Sequence, residues 1–140
     1  MILTNKQQSK EIEYHFVNHE SDIIAVKEFA EEIAERYDFT PEVTGIRSNS
    51  VSNEKILKQI EEIQQMTDKL RKWINVVQKT KEHFKDIIHS DFIKLYYENE
   101  KSISEIANML YVSRESVYKY RQDVLNYAAA KADKYNLIKL

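Results

Sequence analysis

Two histidines near the N-terminus, His15 and His19, have the i, i+4 spacing that places two imidazole rings on one face of a helix. Glu11 and Glu20 lie close to them in sequence, so these four side chains are the best candidate ligands for a divalent cation. The chain has no cysteine to supply a thiolate, and its other two histidines lie far along the sequence. We therefore expect no metal site and interpret both histidines as polar surface residues.

Catalytic groupings are equally scarce. The adjacent carboxylates Glu31–Glu32 and Glu61–Glu62 fall on faces expected to be exposed, whereas acid–base catalysis needs two carboxyl groups in contrasting environments. The chain contains one Gly, so it has no glycine-rich phosphate loop, and it has no Gly-x-Ser-x-Gly motif. The sequence predicts a protein that is not an enzyme, with no cofactor and no small-molecule substrate.

A different chemistry, the recognition of DNA, is suggested by polar side chains between residues 102 and 122. Arg and Lys donate to guanine edges or phosphates, Gln can bond adenine, Glu can accept from cytosine, and Tyr offers a hydroxyl or a stacking face. Serines at helix starts, with the adjacent backbone amides, could hold phosphates. The candidate DNA-binding residues are Ser102, Ser113, Arg114, Glu115, Tyr118, Lys119, Arg121 and Gln122. The alternative is a helical hairpin whose polar face is merely solvated.

The elements that must position these side chains are two short helices. Ser102 and Glu105 have the capping-box spacing, so a helix should begin there, and Ser113 can cap a second one. Only Tyr111 and Val112 separate the two helices, which is typical of a helix-turn-helix, with Val112 filling the core at the turn. The predicted inner positions are Ile103, Ile106, Ala107, Leu110, Val117, Tyr120 and Val124.

The whole chain has the composition of an all-α protein. Its 140 residues are 42% hydrophobic and 31% charged, and one Gly and one Pro leave few tight turns for strands. Neither a signal peptide nor a membrane span is recognisable, so we expect a cytoplasmic protein. The net charge is −2, but residues 101–140 carry seven Lys/Arg and four Asp/Glu, a net of +3. A basic C-terminal third is compatible with a polyanionic partner.

Periodicity divides the chain into four parts. We predict an N-terminal helical region at 1–40, a linker at 41–51, a long central helix at 52–88 and a DNA-binding domain at 89–140. Apolar residues recur along the central helix with heptad-like spacing, imperfect at Thr67 and Lys81. The predicted oligomerisation residues are Ile56, Ile60, Ile63, Leu70, Ile74, Val77 and Phe84. This seam could pair with the N-terminal helix of the same chain or with a second chain, and we expect a homodimer.

The stretch YYENEKSISEIANMLYVSRESVYKYRQDVL resembles the DNA-binding region four of sigma factors. The resemblance rests on Tyr97, Ser102, Glu105-Ile106-Ala107, Leu110, Val112-Ser113 and Arg114-Glu115. It implies a helix-turn-helix in which Arg114, Glu115 and Lys119 contact bases or backbone. Tyr111 stands where the family usually has Gly, which adopts positive φ cheaply, so a turn of different shape is expected.

The order of parts is similar to that of small transcription regulators from phages of Gram-positive bacteria, of the RinA and ArpU type. The resemblance implies an activator of phage late or packaging genes. We expect it to bind promoter DNA as a dimer through residues 52–88 and to contact host RNA polymerase. A non-catalytic assembly module is the alternative, for example an anti-activator or a small terminase-like packaging subunit. Terminase small subunits more often place the DNA-binding motif before the oligomerising helix, the reverse of the order here. A monomer whose acidic body blocks a partner is a third possibility.

Overall fold

The fold was described from a computed structural model, which covers residues 3–38 and 50–140, with side chains at 3–35 and 54–140. These residues form six helices and no strand, which confirms the predicted all-α fold and its long central helix. The helices are α1 (Lys6–Val17), α2 (His19–Asp38), α3 (Ser50–His83), α4 (Ile88–Ile93), α5 (Ile103–Leu110) and α6 (Arg114–Lys134). A π-helical turn, Lys94–Glu98, continues α4. In the part of the chain described, no helix combines the length and apolarity needed to cross a bilayer.

The chain divides into two compact units. The larger unit comprises Met1–His19 and Lys72–Leu140, and the smaller unit comprises Glu20–Arg71. Helix α1 therefore belongs with the C-terminal helices, although sequence periodicity grouped it with the rest of residues 1–40. The predicted linker at 41–51 lies outside the described residues up to position 49, and Ser50 already begins α3.

Helix α1 starts at a capping box that we did not predict from the sequence. The Asn5 side chain accepts from the Gln8 amide at 2.8 Å, and the Gln8 side chain accepts from the Asn5 amide at 3.1 Å. The helix buries Ile12 and Phe16 together with His15, which is 8% exposed and stacks on Trp73 at 4.3 Å between ring centroids. The interpretation of His15 as a polar surface residue is therefore wrong.

The core of the larger unit includes two residues that we assigned to oligomerisation. Val77 is 1% exposed and Phe84 is 7% exposed, and both pack among the buried side chains of α1, α4, α5 and α6. Helix α3 ends at His83 rather than 88, because the chain turns there and brings the Phe84 ring onto His89 at 4.9 Å. Val77 and Phe84 are thus accounted for within the chain, and we remove them from the oligomerisation surface.

In the smaller unit the heptad seam of α3 is only partly covered. Ile60, which we assigned to oligomerisation, is 2% exposed, so it too is removed from that surface. Thr67 is 3% exposed, and its hydroxyl donates to the Ile63 carbonyl at 2.8 Å. This back-bond satisfies the hydroxyl without a tertiary partner, which explains how the seam tolerates a polar residue. The seam residues of intermediate exposure are Ile56, Ile63 and Leu70, and Leu57 and Met66 beside them are about half exposed.

Candidate nucleic-acid interface

Helix α5 begins at the cap that the sequence predicts. The Ser102 hydroxyl accepts from the Glu105 amide at 3.1 Å, and the Glu105 carboxylate accepts from the Ser102 amide at 3.2 Å. The bond from that amide is the main reason that the pKa of Glu105 is lowered, followed by the bond from the Ser102 side chain. Ile106 and Ala107 are buried below the helix, as predicted. The reciprocal cap therefore fixes where α5 starts and which face it buries.

The connection between α5 and α6 contains a residue in the left-handed region. Tyr111 has φ 57° and ψ 43°, and its amide and that of Val112 both converge on the Ala107 carbonyl. The turn therefore keeps the left-handed residue that Gly would supply, and the expectation of a different turn shape is wrong. Val112 packs partly buried against the core, as predicted. Tyr111 thus adopts a backbone conformation that its side chain disfavours.

Helix α6 begins at Ser113, whose hydroxyl accepts from the Ser116 amide at 3.1 Å. Val117 and Val124 are both completely buried, and Tyr120 packs partly buried beside them. Successive α-helical residues are separated by about 100° around the axis, so residues 115, 118 and 119 lie away from this buried side and residue 114 lies at its edge. The packing of α6 therefore turns the predicted outer face away from the core over its first two turns.

Four of the predicted DNA-binding residues are exposed on this face. Arg114, Glu115, Tyr118 and Lys119 all reach solvent, and Tyr118 is 54% exposed. Within the described residues, none of the four side chains has a hydrogen bond, ion pair or ring contact. We call these four residues the outer face of α6. The polar groups of this face can contact an external partner, and the cations Arg114 and Lys119 lie at its two ends.

Arg121 and Gln122, which the sequence-based assignment also placed among the DNA-binding residues, are instead bonded within the chain. The Arg121 guanidinium forms a two-pronged ion pair with Glu13 of α1, and its side chain is 33% exposed. Gln122 is half-buried and donates to Asn126, which also accepts from the Leu3 amide. The N-terminal segment contacts α6 at Arg121 and Asn126, beyond the first two turns of the helix.

Glu13 is the residue that sequence reasoning missed, and it anchors a small polar network. Its carboxylate accepts from Tyr97 at 2.7 Å as well as from Arg121, while the Arg121 guanidinium lies 5.7 Å from the Tyr96 ring centroid. Burial, followed by the charge and hydrogen bond of Glu13, raises the pKa of Tyr97 well above its usual value. For Arg121, the hydrogen bond to Glu13 is the main reason that the pKa is raised. No local sequence pattern links positions 13 and 121.

A second contact holds α6 from the side of α4. His89 Nε2 lies 2.9 Å from the Asp123 carboxylate, and the His89 ring stacks on Phe84 and lies near Tyr120. The two polar contacts, Glu13–Arg121 and His89–Asp123, are two residues apart on α6 and come from different elements. They fix the helix in the turn just beyond its outer face.

Other candidate chemistry finds little support in the described ranges. No group of three or more His, Cys, Asp or Glu side chains there could hold a metal ion. One surface depression is lined by Glu13, Tyr14, Val17, Asn18, Tyr96 and Tyr97. It is open, and its carboxylate is already paired with Arg121.

Comparisons with known proteins identify no relative that could indicate the role of this interface. No protein-family model matches the chain, and searches of curated proteins and of solved structures give no significant match.

Proposed function

We propose that this protein is a sequence-specific DNA-binding transcription regulator whose α5 and α6 act as a helix-turn-helix. The outer face of α6, formed by Arg114, Glu115, Tyr118 and Lys119, would enter the major groove and read base edges. The capped start of α5 at Ser102 would lie near a phosphate backbone. A cytoplasmic location, with promoter DNA as the partner, is part of the same proposal.

The observation that carries the proposal is the contrast along α6 between committed and uncommitted polar side chains. Beyond Tyr120, Arg121 and Asp123 are paired with Glu13 and His89. Before Tyr120, two cations, a carboxylate and a phenol are exposed and unpaired within the described residues. A helix held firmly at its middle, with donors and acceptors free at its N-terminal end, has the geometry required for groove insertion.

The smaller unit supplies a basis for self-association. Ile56, Ile63 and Leu70 keep part of their apolar surface exposed, and Leu57 and Met66 extend it. A helix with such a face favours pairing with a second copy. We therefore propose a homodimer through the part of α3 that belongs to the smaller unit. The resemblance to RinA and ArpU regulators adds the proposals that the target is a phage late or packaging promoter and that host RNA polymerase is contacted.

The test is selection of bound duplexes from random DNA, followed by affinity measurements on the selected site. Arg114→Ala should weaken binding by about 1–3 kcal/mol if Arg114 pairs with a guanine edge, with relaxed preference at that position. Lys119→Ala should lower affinity for all sequences alike and reduce the salt dependence by about one phosphate if Lys119 contacts the backbone.

Lys134→Ala is the matched control, because it removes one exposed cation from the same helix about 30 Å from Arg114. It should leave the affinity nearly unchanged. Equal binding by wild type, Arg114→Ala and Lys119→Ala would overturn the assignment of the outer face. Recovery of no preferred sequence would overturn sequence-specific DNA binding itself.

Light scattering on the same sample separates the regulator from the assembly module. A dimer, free and on DNA, supports a regulator that binds two half-sites. A ring of many subunits would instead favour a packaging role.

A further inference from the structure

Tyr111, between α5 and α6, is the most exposed of the large hydrophobic residues in the described part of the molecule. It is 95% exposed, whereas the other exposed large hydrophobic residues there range from 40% for Leu3 to 59% for Tyr14. Within the same residues its ring has no aromatic or cation contact, and its hydroxyl has no hydrogen-bond partner. Its side chain therefore makes no polar or ring contact that would stabilise the described part of the chain.

The backbone at Tyr111 makes this exposure more notable. A residue with a Cβ is disfavoured at φ 57°, and a bulky one especially so, while Gly is tolerated there. The turn fixes the backbone conformation of Tyr111, because the amides of Tyr111 and Val112 both donate to the Ala107 carbonyl. Residues held in disfavoured backbone conformations cluster at active sites and ligand-binding sites.

The position of Tyr111 indicates what it would bind. Ser113, the cap of α6, is two residues away, and Arg114 follows, so the Tyr111 and Arg114 Cα atoms are at most about 11 Å apart. The major groove is about 12 Å wide, so phosphates flank any helix inserted into it. If the start of α6 lies in the groove, Tyr111 lies at the groove edge.

We infer that Tyr111 is a DNA-backbone contact, with its ring against the sugar–phosphate chain and its hydroxyl donating to a phosphate. The inference rests on the proposed function and extends it to a residue outside the outer face. Tyrosine hydroxyls commonly make such contacts, which fix the register of a protein on the duplex without reading sequence. The left-handed turn would hold the ring out at the one place where α5 passes into α6.

The test compares Tyr111→Gly and Tyr111→Phe with wild type in thermal unfolding and in binding to the selected duplex. Tyr111→Gly relieves the backbone, so its unfolding midpoint should rise by about 3 °C, while its affinity falls about tenfold. Tyr111→Phe should leave the midpoint unchanged and lower affinity several-fold through loss of the hydroxyl. Because tyrosine is uncharged, the slope of affinity against salt should stay the same in both variants.

Asn136→Gly is the control, since Asn136 also has positive φ, 61°, but lies beyond the C-terminal end of α6. It should not change DNA affinity. Undiminished affinity in Tyr111→Gly, with Arg114→Ala still impaired, would overturn the inference alone. A lower midpoint in Tyr111→Phe would also overturn it, because the hydroxyl would then have a role in folding. Absence of any selected sequence for wild type would remove both the inference and the proposed function.

Discussion

The network of Glu13, Arg121 and Tyr97 should be the polar interaction that holds α1 against α6 most strongly. Glu13 is 15% exposed and Arg121 is 33% exposed, so the pair lies between a surface ion pair and a buried one. Exposed pairs contribute about 0–1 kcal/mol, whereas removing one partner of a buried pair costs about 3–5 kcal/mol. Because Arg121 can recover part of its hydration, we expect Glu13→Ala to cost about 2–3 kcal/mol.

The assay is a double-mutant cycle measured by urea unfolding. Glu13→Gln keeps the size of the side chain and an acceptor for Tyr97, while Arg121→Met keeps the aliphatic stem that lies near Tyr96. The coupling energy of the two changes should be about 1–2 kcal/mol, and it should fall only weakly with added salt, because water has limited access to Glu13.

The exposed pair of Lys85 and Glu82 provides the comparison. Its nitrogen–oxygen distance is 2.8 Å, but the two side chains are 58% and 71% exposed. We expect no measurable coupling there, since solvent screens both charges. A Glu13–Arg121 coupling as small as that of the Lys85 pair would refute the view that burial, rather than proximity, gives the network its strength.

Two further predictions concern the protonation of Tyr97 and the cap at Ser102. Because the pKa of Tyr97 is raised in the folded protein, this phenol loses its proton at lower pH in the unfolded chain than in the folded one. The protonated phenol therefore contributes its full share to the free energy of unfolding below about pH 10. Above that pH the contribution declines by up to about 1.4 kcal/mol per pH unit. Unfolding measured from pH 8 to 11 should show a shallower decline for Tyr97→Phe, and identical slopes would contradict this. Ser102→Ala should lower the free energy of unfolding by about 1 kcal/mol, because it removes the capping bond to the Glu105 amide. The control, Ser104→Ala within the same helix, should cost less. Equal losses in thermal unfolding would count against the cap.

The local signals in the sequence were sufficient for the C-terminal helices. Ser102 with Glu105 and Ser113 marked the starts of α5 and α6 correctly, because capping depends on residues three positions apart. The same signal, Asn5 with Gln8, stood at the start of α1 and would have located that helix. Heptad spacing likewise found the long helix α3, although not its end at His83.

Periodicity reports that a helix has an apolar face, but it does not report what covers that face. Val77 and Phe84 belong to the same repeat as Ile63 and Leu70, yet the first two lie in the core of the larger unit. The helices that pack against Val77 and Phe84 in the tertiary fold cover these two residues and leave Ile63 and Leu70 partly exposed. The tertiary fold also buried His15 against Trp73, which the polar character of histidine did not suggest.

The sequence by itself determined the helical class, the caps and the outer-face positions 114, 115, 118 and 119, because each depends on composition or on spacings within one or two turns. Only the tertiary structure decided that Arg121 is paired, since its partner Glu13 is 108 residues away in the chain. It also decided that Tyr111 takes the left-handed conformation, because the packing of α5 against α6 fixes the backbone of the turn, although the Tyr111 side chain disfavours that conformation. Long-range packing thus narrowed the six outward positions expected on α6 to four.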